Sequence, residues 1–287
     1  MGARLLATDL DRTLLPNGAA PEDPRARPVL AALVSGLDLI LAYVTGRRLQ
    51  LVEQALEEYS LPRPDYILAD VGSTLYEARD GDWVPSRAWA ARLAEDWSGR
   101  EARDLVPLLA GEAALELQEP ENQGPFKLSF YAPLTVPAEA LLRRLRATLA
   151  EADLPATVVY SVDEAAGVGL VDVLPQQSSK LRALEFLMAE RGLPPQDVVF
   201  AGDSGNDLEV LVSPIPAVLV ANADSDLRAR VLREAQAAGW GEQIFTAAGG
   251  CLGMNGNYAA GILEGWVHYH PADRERLAAL ARAGASG

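Results

Sequence analysis

The chain has 287 residues, 49% of them apolar, and a formal net charge of −15. A core of that size suits one large domain or two modest ones, and the acidity argues against nucleic acid and anionic membranes, which both need a basic footprint. One cysteine, Cys251, cannot close an internal disulfide, and two histidines, His268 and His270, are too few for a Cys/His zinc site. With no membrane-span-length apolar run and no signal-peptide pattern, a soluble cytoplasmic protein is expected, and a hard metal held by oxygens is compatible with it.

From the N-terminus, short apolar runs at 5–7, 39–44 and 198–201 end in Thr8-Asp9, Thr45-Gly46 and Gly202-Asp203. They read as buried parallel strands handing over to polar loops. Helical patterns lie between them at 48–59 and 180–191, the second closed by Gly192 and two prolines. Such alternation predicts an open α/β sheet with ligands beyond the carboxyl ends of its strands. The middle of the chain differs: helical stretches at 86–97 and 137–151 accompany β-rich runs at 115–118, 126–131 and 157–162. The expected architecture is therefore α/β, a Rossmann-like parallel-sheet core of residues 1–76 and 171–287 with a smaller α+β domain, 77–170, inserted in it. The core sheet is expected to resume at 171–174 and run through 218–220 and 244–245. A terminal helix from 274 should fray into a small-residue tail.

Four separated pieces share one chemical logic: Asp9-Leu10-Asp11-Arg12-Thr13, Thr45-Gly46-Arg47, Lys180, and Gly202-Asp203-Ser204-Gly205-Asn206-Asp207. Two carboxylates two residues apart at a strand end point the same way, so one can attack while the other handles a proton. A carboxylate nucleophile divides phosphate-monoester hydrolysis into two easier steps, each needing positive charge around anionic oxygens. Magnesium suits that need, with Asp203 as a third carboxylate and Asp207 one turn further on. Thr45 offers a hydroxyl, Gly46 an approachable N–H, and Lys180 a compact charge near a helix start. Lysine occurs only at Lys127 and Lys180, the other basic residues all being arginine. Taken singly, an Asp-x-Asp is most often a turn or cap, Thr-Gly-Arg a turn, and a helix lysine solvated. All four together, in this order at strand ends, are hard to attribute to chance.

The four pieces resemble the signature of the haloacid dehalogenase superfamily in its phosphatase form, and the inserted domain between Thr45-Gly46-Arg47 and Lys180 resembles the branch with an α/β cap at that point. The segments Asp65 to Ser73, Pro125 to Tyr131, Val171 to Lys180, Ala201 to Asp207 and Ala260 to Glu264 are similar to the sucrose-6-phosphate phosphatase family. The resemblance implies Asp9 as nucleophile, Asp11 as general acid/base, and Asp9, Asp11, Asp203 and Asp207 as the Mg2+ site. It implies a phosphate clamp of Thr45, Gly46 and Lys180, with Arg47, Gly72, Ser73, Lys127 and Asn206 facing the sugar. The expected substrate is a sugar phosphate, sucrose 6-phosphate ahead of glucosylglycerol phosphate, mannosylfructose phosphate or hexose phosphates, supplied by a synthase that could also be a partner. The stretch 163–169 departs from the short basic turn of that family, and the loop 249–257 is long. A mutase, or a non-catalytic sugar-phosphate binder assisting a synthase, are the rivals; intact Asp9 and Asp11 speak against the binder.

Overall fold

The computed structural model describes residues 2–163 and 166–284. The chain opens with β1 (Leu5–Thr8), α1 (Ala26–Leu37), β2 (Ile40–Val44), α2 (Leu49–Glu58), β3 (Tyr66–Ala69) and the hairpin of β4 (Thr74–Arg79) and β5 (Asp82–Pro85). It continues with α3 (Arg87–Asp96), the single turn α4 (Val106–Leu109), β6 (Glu116–Leu117), β7 (Leu128–Ala132), α5 (Ala138–Glu151), β8 (Ala156–Asp163) and β9 (Val168–Pro175). The last third holds α6 (Lys180–Arg191), β10 (Val198–Gly202), the single turn α7 (Leu208–Leu211), β11 (Ala217–Leu219), α8 (Ser225–Ala238), β12 (Ile244–Thr246), α9 (Ala259–Tyr269) and α10 (Arg274–Gly284).

The larger sheet is ordered β12-β11-β10-β1-β2-β3-β4-β5, parallel from β12 to β3 and closed at one edge by the antiparallel hairpin. β1 and β10 are buried at every residue, as parallel strands covered by helices on both faces must be. Strand alternation divides the core: Leu5, Val44, Leu68 and Phe200 pack with Leu184 and Leu187 of α6, while Leu6, Leu41, Ile67 and Val199 pack with Leu33 of α1 and Trp266 of α9. Gly192, in the left-handed region (φ 62°), ends α6 by returning its N–H to Ala189 and Met188, the stop its sequence announced.

The second sheet is antiparallel throughout, ordered β6-β7-β9-β8, with α5 packed against β8. Its apolar side, including Phe130 and Val171, runs through the buried indoles of Trp89 and Trp97 into one face of the larger sheet. The fold class is the predicted one, a Rossmann-like core bearing a smaller α+β cap.

The strand at 171–174 corrects the expectation. It lies in β9, paired with β7 and β8, and takes no part in the larger sheet, whereas β4 and β5 do although the expected boundary at 76 cuts through β4. Four apolar-rich residues satisfy a buried parallel strand and a cap strand equally well; the β8–β9 pairing, from Asp163 opposite Val168 to Ala156 opposite Pro175, decides between them. Helices α1, α8 and α9 had no assignment from the sequence. Of the divergent stretch 163–169, Glu164 and Ala165 lie outside the described residues, as do the last three residues of the expected tail. No helix among the described residues is long and apolar enough to cross a membrane.

Gly265 lets α9 approach β11. A Cβ there would meet Val218 Cγ1 at 2.6 Å and Cβ at 2.9 Å, with Cγ2 closer still. Alanine would gain about 1 kcal/mol of helix propensity, but the stiff β-branched valine cannot yield and overpacking costs about 1–3 kcal/mol. Gly265→Ala is therefore expected to lower the urea unfolding midpoint at constant m-value; a higher midpoint would refute the close approach.

Candidate active site

Asp9, Thr45, Asp70 and Asp203 each follow directly on a parallel strand, β1, β2, β3 and β10, so the sheet gathers them along its carboxyl edge. Lys180 joins them as the first residue of α6, whose N-cap Ser179 accepts from the Arg182 N–H (3.2 Å). Its ammonium is fully buried and donates to Asp9 Oδ1 (2.8 Å), Asp207 Oδ1 (2.7 Å) and Asn206 Oδ1 (3.1 Å). The other Asp207 oxygen accepts from the N–H groups of Asp203 (3.2 Å) and Ser204 (3.1 Å) and from the Ser204 hydroxyl (3.1 Å). Asp207 can fold back in this way because residue 202 is glycine: a Cβ there would stand 2.8 Å from the carboxyl carbon. Asp203, also buried, accepts from Thr13 Oγ1 (3.1 Å) and from Nε of the half-exposed Arg12 (3.0 Å).

Oxygens of Asp9, Asp203 and Asp207 lie within 4.8 Å of one another. Burial first, then Asp207 and Asp203, raise Asp9 against the pull of Lys180, and together they push it up to about 7. Asp203 is likewise raised by burial and by Asp207, against the pull of Arg12. Burial alone would lower Lys180, but Asp207 and Asp9 reverse that and hold it above its ordinary value. An all-oxygen donor set with surplus negative charge fits a hard divalent cation such as magnesium.

Asp11 does not join this group, contrary to the expected four-carboxylate metal site. Its carboxylate faces Arg47, which grips it with two donors (Nη2 to Oδ1 2.6 Å, Nε to Oδ2 2.8 Å), and Asn17 adds a third bond (2.7 Å). The bidentate fork is the stronger attraction. Burial would raise Asp11, but Arg47 and then Asn17 outweigh it and hold it below its ordinary value.

Thr45 is buried, with its hydroxyl accepting from the Arg47 N–H (3.1 Å). Gly46 is exposed, and a Cβ there would touch only Val71 Cγ2 at 3.9 Å, so packing does not demand the glycine. Arg47, Gly72, Ser73, Lys127 and Asn206 were all expected at the sugar, but the structure gives several of them other partners. Arg47 holds Asp11, and the Asn206 amide oxygen braces Lys180. Gly72 (φ 87°) is buried; a Cβ there would fall 2.6 Å from the Ser179 carbonyl carbon and closer to its oxygen, and its own carbonyl accepts from Trp89 Nε1 (2.9 Å). It is the joint that seats the start of α6. Ser73 is buried with an unpartnered hydroxyl. Of the five, Lys127 alone, just before β7, reaches across from the cap, with Nζ 3.3 Å from Asp70 Oδ1. Sequence reasoning did not single out Asp70, Arg12 or Asn17, whose parts depend on partners that only the fold brings near.

The model of the family described as sucrose-6F-phosphate phosphohydrolase matches residues 2–270 of this chain. The chain belongs to that family. It is 44% identical over 270 residues to a Nitrosococcus oceani protein named no more closely than a HAD-like hydrolase, an alignment covering 94% of this chain and 72% of the other. Over 225 residues it is 32% identical to the mannosylfructose-phosphate phosphatase of Agrobacterium fabrum, covering 78% and 85% of the two chains. Among solved structures, the Synechocystis sucrose-phosphatase in complex with sucrose and phosphate superposes with a TM-score of 0.72 at 27% identity, covering 94% of this chain and 99% of that one. The sucrose-6F-phosphate phosphohydrolase family is thus represented here by a haloacid dehalogenase superfamily phosphatase with an α/β cap, as the sequence motifs implied.

Removing the Lys180 charge would leave Asp9 and Asp207 buried without their counter-ion, a loss of about 3–5 kcal/mol for a broken buried pair. Lys180→Met is expected to lose that much stability at pH 7.5 and less at pH 5.5. Asp9, already pushed up to about 7 with the lysine present, would hold its proton more firmly without it and be neutral at the lower pH. Urea titrations of the metal-free protein at the two pH values measure both; equal losses would show that Asp9 does not carry the effect.

Proposed function

We propose that this protein hydrolyses the phosphate monoester of a small glycoside, sucrose 6-phosphate foremost, through an aspartyl-phosphate formed on Asp9. The observation that carries the reading is the buried Lys180 bridging Asp9 and Asp207 beside Asp203 at the carboxyl edge of the sheet. Asp9 attacks phosphorus while Lys180 fixes one of its oxygens and offers positive charge to the phosphate. Thr45 and the approachable N–H of Gly46 take further phosphate oxygens, which gives the glycine a reason that packing does not. Asp9, Asp203 and Asp207 would hold magnesium, which when bound would neutralise their charge and that of the phosphate. Asp11, paired with Arg47 as a carboxylate, is set to take the proton of the water that cleaves the acyl-phosphate. To protonate the leaving oxygen first, it must leave Arg47 and take up a proton from solvent; the proton then taken from the hydrolytic water restores that form of Asp11 for the next cycle.

A cap over the strand ends supplies a second wall, and binding energy from a remote sugar can be spent on orienting the phosphate. The similarity to a phosphatase named for mannosylfructose phosphate favours a second reading, another phosphorylated two-unit glycoside in place of sucrose 6-phosphate.

Phosphate release from a panel of esters tests these statements. A phosphorylated two-unit glycoside is expected to exceed glucose 6-phosphate in kcat/KM by at least ~10-fold, about 1.4 kcal/mol of transition-state binding. Asp9→Asn, which keeps the shape without the nucleophile, should abolish turnover with an unchanged circular dichroism spectrum. Equal efficiency on hexose phosphates would remove the glycoside preference, and an active Asp9→Asn protein would remove the mechanism.

Metal binding should also be linked to protons. Asp9 keeps its proton up to about pH 7 in the metal-free protein, and a metal-binding carboxylate must give it up. Magnesium affinity is therefore expected to rise with pH between about 6 and 8, with proton release near pH 6.5 measurable by calorimetry in buffers of different ionisation enthalpy. A pH-independent affinity would contradict this assignment of Asp9.

A further inference from the structure

Asp70, Val71 and Gly72 form a turn with three successive positive φ values, 51°, 59° and 87°, rare for an aspartate and rarer for a β-branched valine. The turn is bonded to the phosphate loop: Asp70 N–H donates to the Arg47 carbonyl (3.0 Å) and Val71 N–H to the Thr45 carbonyl (3.1 Å). The Asp70 carboxylate reaches instead to the cap, 3.3 Å from Lys127 Nζ, and that ammonium lies 4.0 Å from Asp172 on β9. The Asp70 and Lys127 side chains are 14% and 13% exposed. Arg48, the N-cap residue of α2, sends Nη1 to Asn122 Oδ1 (3.3 Å) across the same seam.

The Asp70–Lys127 contact is long for a charge-assisted bond, which ordinarily measures about 2.7–2.9 Å. Arg48 Nε and Ser73 Oγ are buried without a hydrogen-bond partner, and each such group costs about 1–3 kcal/mol if nothing meets it. A long, partly exposed ion pair on a turn bonded to Thr45 and Arg47 is a place where a polar ligand completes the bonding. Phosphate itself is excluded there by the Asp70 carboxylate, and an apolar group would strand both charges. A hydroxyl, which donates and accepts at once, satisfies the two.

The geometry points to Asp70 as a specificity-determining residue that, with Lys127, forms a hydroxyl-recognition pair divided between core and cap. A hydroxyl of the esterified sugar donates to the Asp70 carboxylate and accepts from the Lys127 ammonium. This rests on the glycoside-phosphate reading above and adds to it a residue of the core.

The test compares wild type with Asp70→Asn, which keeps the side-chain shape and tolerates a positive φ, on the preferred glycoside phosphate and on p-nitrophenyl phosphate, which has no sugar hydroxyl. The ratio of the two kcat/KM values is expected to fall at least ~10-fold, mainly through KM of the glycoside phosphate. In the double variant with Lys127→Gln the two losses should be less than additive. A parallel loss on both esters would make Asp70 only a support of the phosphate loop and overturn the proposal, as would an unmoved ratio. If wild type hydrolyses p-nitrophenyl phosphate but no sugar phosphate, the glycoside reading fails and this inference with it; a wild-type glycoside preference with an unmoved Asp70→Asn ratio overturns this inference alone.

Discussion

An ammonium buried at the first turn of a helix is an awkward thing to build. The helix dipole disfavours a cation at that end, and burial disfavours any charge without partners. Lys180 is stable there because Asp9, Asp207 and Asn206 converge on its three donors. They can converge only if β1 and β10 are neighbours, if Gly202 lets Asp207 fold back, and if Gly72 lets the backbone before α6 come close. The carboxylates in turn need the lysine, since three of them share the site and two already hold their protons more firmly than an ordinary carboxyl. Core topology and site chemistry are one constraint met from two directions.

This mutual dependence explains which parts of the site were legible in the sequence. Asp9 and Asp203 stand where short apolar runs hand over to polar loops, and Lys180 stands where a well-stopped helix begins. Strand ends and helix starts are local signals, and the residues that sit on them could be assigned a task before any partner was known. Asn206 and Gly72 carry no such signal: one amide oxygen or one absent Cβ acquires meaning from Lys180 or Ser179, far away in the chain. Asp11 was legible as a partner of Asp9 in sequence but not as a ligand of Arg47, because the direction of a side chain in a tight turn is set by what reaches it from the next strand.

The cap was legible in kind but less so in extent. Its helices and β-rich runs have the right periods, and the structure has the expected α+β composition. What failed was β9, whose apolar residues fit either sheet. Pairing is a long-range property, and four residues of pattern cannot state it.

The placement of β9 has a mechanical consequence. The strand ends at Pro175 and α6 begins at Lys180, so four residues join a cap strand to the buried ammonium. That link is not slack: Asp96, at the end of α3, holds Gln177 through its N–H (2.7 Å) and its side-chain amide (3.0 Å). The peptide before Lys180 is therefore pinned to the cap, and the place of the ammonium between Asp9 and Asp207 depends on where the cap strand ends. A substitution along this linkage would disturb Lys180 while touching none of its partners.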